Sequence, residues 1–312
     1  MSEGSGRAFG KIILTGEHAV VFGIPALAAG IDRGATAHAV RSAEDSVQFT
    51  ASPGEEPSGE LIEALRRVRR ALAIDATYSV TLSTDLPSGA GLGCSAALGV
   101  ATTRALLSAE SRPDVVSAVL EAAHAWETVF HGNPSGVDAT LATVGGVVSF
   151  VRGEAPVPLS LPKPLRFAIG ESGPGSSTKR MVDGVARLRS RSPELVDRTF
   201  DAIRSVSRNA QLALESGDSS ALGQLLDMNQ MLLAGLFVST SELESLCRLA
   251  REAGALGAKL TGAGGGGCTI ALCDDDASRD RVLAAWTRAG FHGFPTMIGA
   301  TEGAPPSPMA PS

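Results

Sequence analysis

The sequence predicts an α+β protein built in two parts, and three observations carry that expectation. Short β-type runs succeed one another through the N-terminal half, at residues 7–14, 36–41, 47–50 and 78–84. Between residues 179 and 253 the chain reads as largely helical, after which strand and helix alternate to residue 299. Residues 155–164 hold four prolines and read as an inter-domain linker. At 312 residues and 31.8 kDa the chain has room for two domains or one large one; with the linker, two are expected, at 1–163 and 164–302. The Pro-, Ser- and Ala-rich stretch 303–312 is expected to be a disordered tail.

Composition excludes several function classes. With 44% hydrophobic and 19% charged residues the chain reads as an ordinary soluble globular protein. A formal net charge of −6 argues against a nucleic-acid-binding surface, so an anionic ligand must be held by local dipoles, a few cations and a metal. No apolar run reaches membrane-spanning length uninterrupted, and the N-terminus lacks the order of a signal peptide. Cys94, Cys247, Cys268 and Cys273 have neither metal-site spacing nor disulfide density, which predicts reduced thiols and a cytoplasmic location. The sequence leaves the oligomeric state open, a homodimer included.

Taken in order, residues 1–6 are small and polar and read as disordered. The strand 7–14 is interrupted by Gly10-Lys11 and ends in the turn Thr15-Gly16-Glu17-His18, which brings Lys11, Glu17 and His18 close together. Charges at a strand end that simply face water explain that grouping equally well. In residues 61–72, Leu61, Leu65, Val68 and Leu72 mark a helix whose Arg66, Arg67, Arg69 and Arg70 form a solvated face. After the strand 78–84 comes a glycine-rich loop and a helix over 96–107; Pro113 then opens a second helix running to residue 130. That second helix carries Glu121, His124 and Glu127; a single Glu-x-x-His copy argues against a di-metal site and leaves Glu127 as a candidate ligand for one hard cation.

Residues 131–138, His-Gly-Asn-Pro-Ser-Gly-Val-Asp, form a dense turn ending on an acid that is presented at a fixed place, as a general base requires. A strand follows at 144–151, another at 165–170, and the loop 173–179 enters a helix with Ser or Thr placed to cap it. Helices are expected at 179–191, 193–215, 219–234 and 241–253, then a strand at 257–260. A second glycine cluster spans 261–268, before a strand at 268–272, a helix at 277–288 and a last strand at 294–299.

The first glycine loop, Pro87-Ser88-Gly89-Ala90-Gly91-Leu92-Gly93-Cys94-Ser95-Ala96-Ala97, is the stretch richest in chemistry. Glycine lets backbone N–H groups approach a ligand, and the helix start that follows offers unpaired N–H groups and a partial positive charge. Together these make an anion site whose usual occupant is polyphosphate, with Ser95 placed to reach a metal ion on it. No Gly-Lys-Ser or Gly-Lys-Thr closes the loop, and the acid of a dinucleotide fingerprint is missing. A turn that merely caps a helix remains an alternative for this loop alone.

Three motifs in order resolve the ambiguity. Gly10-Lys11 with Thr15-Gly16-Glu17-His18-Ala19-Val20-Val21, the loop Pro87 to Ala97, and Lys259-Leu260-Thr261-Gly262-Ala263-Gly264-Gly265-Gly266-Gly267-Cys268 resemble the motifs of the GHMP kinase superfamily. Gly-Glu-His-Ala-Val-Val and the stretch 131–138 further resemble its mevalonate kinase family. The resemblance spans residues 7–299. It implies an N-terminal domain like the second domain of ribosomal protein S5, a ferredoxin-like C-terminal domain, and a site between them that takes ATP, Mg²⁺ and mevalonate.

Carried over residue by residue, the resemblance implies Asp138 as catalytic base, paired with Lys11, and Glu127 and Ser95 as Mg²⁺ ligands. Pro87, Gly89, Ala90, Gly91, Leu92, Gly93, Cys94, Ser95 and Ala96 would surround the ATP phosphates. Glu17, His18 and Ser135 would contact mevalonate, Thr178 would lie near the transferred phosphoryl group, and Gly264 and Gly265 would bring backbone close to the substrates. These roles agree with phosphoryl transfer as a matter of positioning and charge neutralisation. Cys94 departs from the serine common at its position; a thiol is a poor Mg²⁺ ligand, which leaves the metal to Ser95. The span between the first two motifs is shorter than in animal mevalonate kinases, which puts feedback by isoprenoid diphosphates in doubt. Phosphomevalonate kinase or another small-alcohol kinase, diphosphomevalonate decarboxylase and an inactive ligand sensor are the competing readings. A phosphomevalonate site should add basic groups, the decarboxylase lacks this lysine and Gly-Glu-His turn, and a sensor should have lost the base or a metal ligand.

Overall fold

The computed structural model describes residues 2–51, 58–87, 89–130 and 136–299. Strand β1 (Glu3–Thr15) pairs antiparallel with the long β2 (Ala26–Arg41), a short 3-10 turn at Ala19–Phe22 lying between them. There follow β3 (Ser46–Phe49), α1 (Gly59–Ala71), β4 (Tyr78–Thr84), α2 (Cys94–Ala109), α3 (Val116–Phe130), α4 (Val137–Val144), β5 (Val147–Phe150) and β6 (Val157–Leu159). Strand β2 is the spine of this six-stranded sheet: β1 lies along one edge, β4 and β5 share the other, β3 adds parallel to β4 and β6 pairs with β5.

Helix α2 packs on this sheet and is buried on nearly every side, which its alanine-rich sequence allows. Small side chains let the sheet backbone come close. A Cβ on Gly6 would lie 2.1 Å from the Ala101 carbonyl oxygen, and one on Gly4 2.3 Å from the Ala109 nitrogen. Tyr78, fully buried, donates its hydroxyl to Glu110 just beyond the end of α2.

The second half runs β7 (Leu165–Glu171), α5 (Thr178–Arg191), α6 (Pro193–Ser216), α7 (Ser219–Gly235), α8 (Ser241–Glu252), β8 (Gly257–Thr261), β9 (Cys268–Cys273), α9 (Asp276–Arg288) and β10 (His292–Ile298). Its sheet has the order β10-β7-β9-β8, every pair antiparallel. A strand, helices, two strands, a helix and a strand in that order make the ferredoxin-like arrangement. The two sheets share one continuous apolar core, in which Ile12, Ile31, Leu92 and Val100 join Phe167, Ile169, Ile270 and Phe294. Asp32 of β2 reinforces the junction by accepting from Thr296 Oγ1 at 2.5 Å and from the Met297 N–H at 3.2 Å.

Several expectations are corrected. Residues 3–6 are ordered strand, held by pairing Glu3 opposite Val40 and by Gly4 and Gly6 seated on α2. The proline-dense stretch contains β6, so it is not a free linker. Helix α3 starts at Val116, three residues after Pro113, and α4 occupies 137–144, where the sequence suggested turn and strand. Arg69 is not solvated: its guanidinium bonds Asp45 and the carbonyls of Ile74 and Asp75. The tail 303–312 lies outside the described residues.

Gly6→Ala should therefore lower stability by about 1 to 3 kcal/mol, the usual cost of overpacking. Gly59→Ala, where a Cβ meets nothing within 4 Å, should be neutral within about 0.5 kcal/mol. Urea denaturation of the two variants compares them; equal stabilities would mean that the start of β1 does not depend on its seat on α2.

Candidate active site

A cavity of about 660 Å³ opens where β1, the first glycine loop, α3, α4 and the second glycine loop meet. Pairing of β1 with β2 slips between Phe9, opposite Gly34, and Gly10, opposite Ile31. Such a bulge re-aims the side chains beside it. Lys11 comes next, only 7% exposed, its N–H donating to the Leu92 carbonyl at 2.9 Å. Its stem crosses the first glycine loop at Gly93, where a Cβ would stand 2.8 Å from Lys11 Cγ.

Gly89, Gly91 and Gly93 have φ of 69°, 78° and 75°, the left-handed region in which glycine is at ease. This alternation explains the Gly-x-Gly-x-Gly pattern. Gly93 begins α2 without a side-chain cap, so the first-turn N–H groups are open to an anion. Pro87, Gly89, Ala90, Gly91, Leu92, Gly93, Cys94, Ser95 and Ala96 all line the cavity. Burial pushes the Cys94 thiol up, and its sulfur sits 3.7 Å from Thr84 Oγ1.

Gly136, with φ of 80°, starts α4 and places Asp138 in its first turn. Lys11 Nζ lies 3.4 Å from Asp138 Oδ1, and the Asp138 side chain is 40% exposed to the cavity. Glu127, 4% exposed near the end of α3, is the third charged member of this group. Burial first, then the charge of Asp138, pushes its carboxyl up to about 7, while Lys11 opposes the shift. Its Oε2 has no hydrogen-bond partner among the described residues. An unpartnered carboxylate oxygen with the Ser95 hydroxyl in the same cavity is an all-oxygen donor set that fits a hard cation.

His18 caps the 3-10 turn in a strained conformation, φ 62° and ψ −48°. Its Nε2 lies 2.8 Å from the Ala263 carbonyl, which can only accept, so Nε2 carries the proton. Burial lowers the ring's pKa, keeping it neutral, and Nδ1 is a bare acceptor with no partner among the described residues. Glu17 also lines the cavity, but its carboxylate is engaged by Lys259 and by Asn229 Nδ2 at 3.0 Å.

The second glycine loop closes the opposite wall. A Cβ on Gly91 would be 3.9 Å from Gly262 Cα, and one on Gly267 3.3 Å from the Ala90 oxygen. Gly264 lines the cavity, whereas Gly265 turns away, its N–H donating to the Val238 carbonyl at 2.7 Å. Thr178 stands exposed at the rim as the first residue of α5, capped by Ser177. Ser135 lies outside the described residues. Arg152, exposed beside Phe150 on the cavity wall, escapes sequence reasoning because no motif surrounds it. No ion-pair partner of Arg152 is found among the described residues.

Glu127 makes a prediction with a definite sign. A carboxyl raised from 4.5 to about 7 by folding opposes the folded state above pH 7 by about 3 kcal/mol, and not at all below about pH 4.5. Without divalent cation, Glu127→Gln should therefore stabilise the protein at pH 8, with the gain fading towards pH 5. Denaturation at the two pH values measures it; an equal or lower stability at pH 8 would show that Glu127 is not held in an unfavourable charged state.

Residues 60–146 match the GHMP kinases N terminal domain and residues 210–292 the GHMP kinases C terminal domain. The mevalonate kinase of Thermococcus gammatolerans is 35% identical, over 90% of this chain and 91% of its own. The mevalonate kinase of Methanothermobacter thermautotrophicus is also 35% identical, over 86% of this chain and 90% of its own. The crystal structure of L. major mevalonate kinase in complex with R-mevalonate superposes with a TM-score of 0.86 at 30% identity, covering 96% of this chain and 97% of that one. Likeness of this extent, across both halves of the fold, makes the chain a member of the mevalonate kinase family of GHMP kinases.

Proposed function

We propose that this protein is an ATP-dependent kinase that transfers the γ-phosphoryl group of ATP to the primary hydroxyl of mevalonate, giving 5-phosphomevalonate and ADP. The observation that carries the reading is the Lys11–Asp138 pair, 3.4 Å apart, facing a cavity walled on one side by an uncapped helix start and on the other by the His18 turn. Membership of the mevalonate kinase family supports the choice of substrate.

The residues divide the work. The first glycine loop and the first turn of α2 receive the ATP phosphates through backbone N–H groups. Asp138 accepts the proton of the attacking hydroxyl, and Lys11 beside it steadies the carboxylate and the transferring phosphoryl group. Glu127 and Ser95 would hold Mg²⁺, which when bound neutralises charge on the phosphate oxygens. Thr178, at the rim and the start of α5, stands near the transferred group. His18 Nδ1 accepts a hydrogen bond from the tertiary hydroxyl of mevalonate, since a neutral ring donating from Nε2 has that lone pair free. Arg152, a lining cation without a partner among the described residues, pairs with the substrate carboxylate. Phosphomevalonate would bring a second anionic group, and the described lining offers no further unpaired cation for it.

Release of ADP in the presence of mevalonate, phosphomevalonate, homoserine and galactose tests the reading. The kcat/KM for mevalonate should exceed each of the others by about 10²-fold or more, and a preference for any other alcohol would overturn it. In the same assay Asp138→Asn should cut kcat by about 10² to 10⁴. Arg152→Met should raise KM for mevalonate by about 10- to 100-fold and leave that for ATP within about twofold. A mutant at Asp138 with near-normal kcat would remove it as the base.

A further inference from the structure

At the His18 end of the cavity wall lies a charged group whose side chains are shut off from the cavity itself. Lys259 of β8 is fully buried, and Glu17, one residue before His18, is 2% exposed. The Lys259 ammonium donates to Glu17 Oε1 and to the Leu260 carbonyl, and Asn229 of α7, also fully buried, donates to Glu17 Oε2 at 3.0 Å. Gln230 continues the chain: it accepts from the Leu260 N–H at 2.8 Å and donates to Ser239 Oγ at 3.1 Å and Glu244 Oε1 at 2.8 Å.

A buried ion pair is a poor device for stability, because desolvation offsets the attraction; its use is to enforce one geometry. The geometry enforced here is that of the next residue. His18 is one of the few non-glycine residues with positive φ, and such a conformation persists only where its surroundings over-determine it. Both of its anchors come from one stretch: Lys259 holds Glu17 on its N-terminal side, and the Ala263 carbonyl holds its ring. Between them Thr261 Oγ1 accepts from the Ile13 N–H at 2.8 Å and donates to the Ile13 carbonyl at 3.1 Å, tying the same stretch to β1.

We propose that the buried Lys259–Glu17–Asn229 network is the positioning device for His18: it touches no substrate and acts by fixing the strained His18 turn against the second glycine loop, so that Nδ1 faces the substrate hydroxyl. The network thereby sets how well the site distinguishes mevalonate from an alcohol lacking the tertiary hydroxyl. The inference rests on the assignment of mevalonate as substrate.

The test uses the full-length protein and two alcohols, mevalonate and 5-hydroxy-3-methylpentanoate, with the ratio of their kcat/KM values as readout. Wild type should prefer mevalonate by about 10⁴-fold. A wild type that uses both equally, or neither, overturns the substrate assignment before any variant is made. The double variant Glu17→Gln/Lys259→Met removes both charges at once, so it should melt closer to wild type than either single variant does, since each of those strands one charge. Its preference for mevalonate should fall by about 10- to 100-fold while KM for ATP stays within about twofold. Asn229→Leu, which leaves the ion pair intact, should lower the preference by about 3- to 10-fold and serves if the double variant does not fold. A folded double variant, or Asn229→Leu, with the wild-type preference would overturn the proposal, as would an equal rise in KM for ATP and for mevalonate.

Discussion

Ala90 and Gly91 lie against Gly267 and Gly262, backbone on backbone, and the rest of the site depends on that contact. One loop enters α2 of the first half, and the other joins β8 to β9 of the second. Because the meeting point carries nothing larger than the Ala90 methyl, the two sheets can share one core and still leave a cavity between their loops. The two loops also hold their neighbours: Leu92 accepts from the Lys11 N–H, and Ala263 accepts from the His18 ring. A Cβ at Gly93 would displace the lysine stem, and one at Gly264 would stand 2.2 Å from the Val238 carbonyl. Close packing of this kind is unforgiving of added volume.

The electrostatics follow from the same enclosure. The chain carries a net charge of −6, so its overall field does not attract a nucleotide. Local features suited to an anion stand there instead: an uncapped helix start and one buried lysine. Besides the engaged Glu17, two carboxylates share the cavity with Lys11, and they differ in surroundings. Asp138 is part-exposed at a helix start and paired with the lysine, whereas Glu127 is buried with an unpartnered oxygen. That difference gives two carboxylates of one cavity distinct chemistry.

The parts of the site that were legible in the sequence are those whose geometry is written in consecutive residues. The alternation of Gly89, Gly91 and Gly93 reports three left-handed residues directly, and the acid after the run of turn formers is held at one place, though by the first turn of a helix that the sequence did not suggest. The four helices expected between residues 179 and 253 are present as α5 to α8. Groups that act through distant partners left no local trace. Glu17 meets Asn229 across 212 residues and Lys259 across 242, so its engaged carboxylate could not be inferred from the Gly-Glu-His turn. The first strand residues looked disordered because Gly4 and Gly6 are explained only by α2, far along the chain. Helix α4 was hidden by the turn formers before it, and β6 by its proline, which an edge strand tolerates.

The most direct measurement is a crystal structure of the protein with mevalonate and a non-hydrolysable ATP analogue bound together. It should show the primary hydroxyl oxygen within about 3.2 Å of the Asp138 carboxylate, in line with a γ-phosphate held by the first glycine loop and Lys11. His18 Nδ1 should face the tertiary hydroxyl and Arg152 the carboxylate. Mevalonate bound outside this cavity, or with its primary hydroxyl turned away from Asp138, would contradict the account.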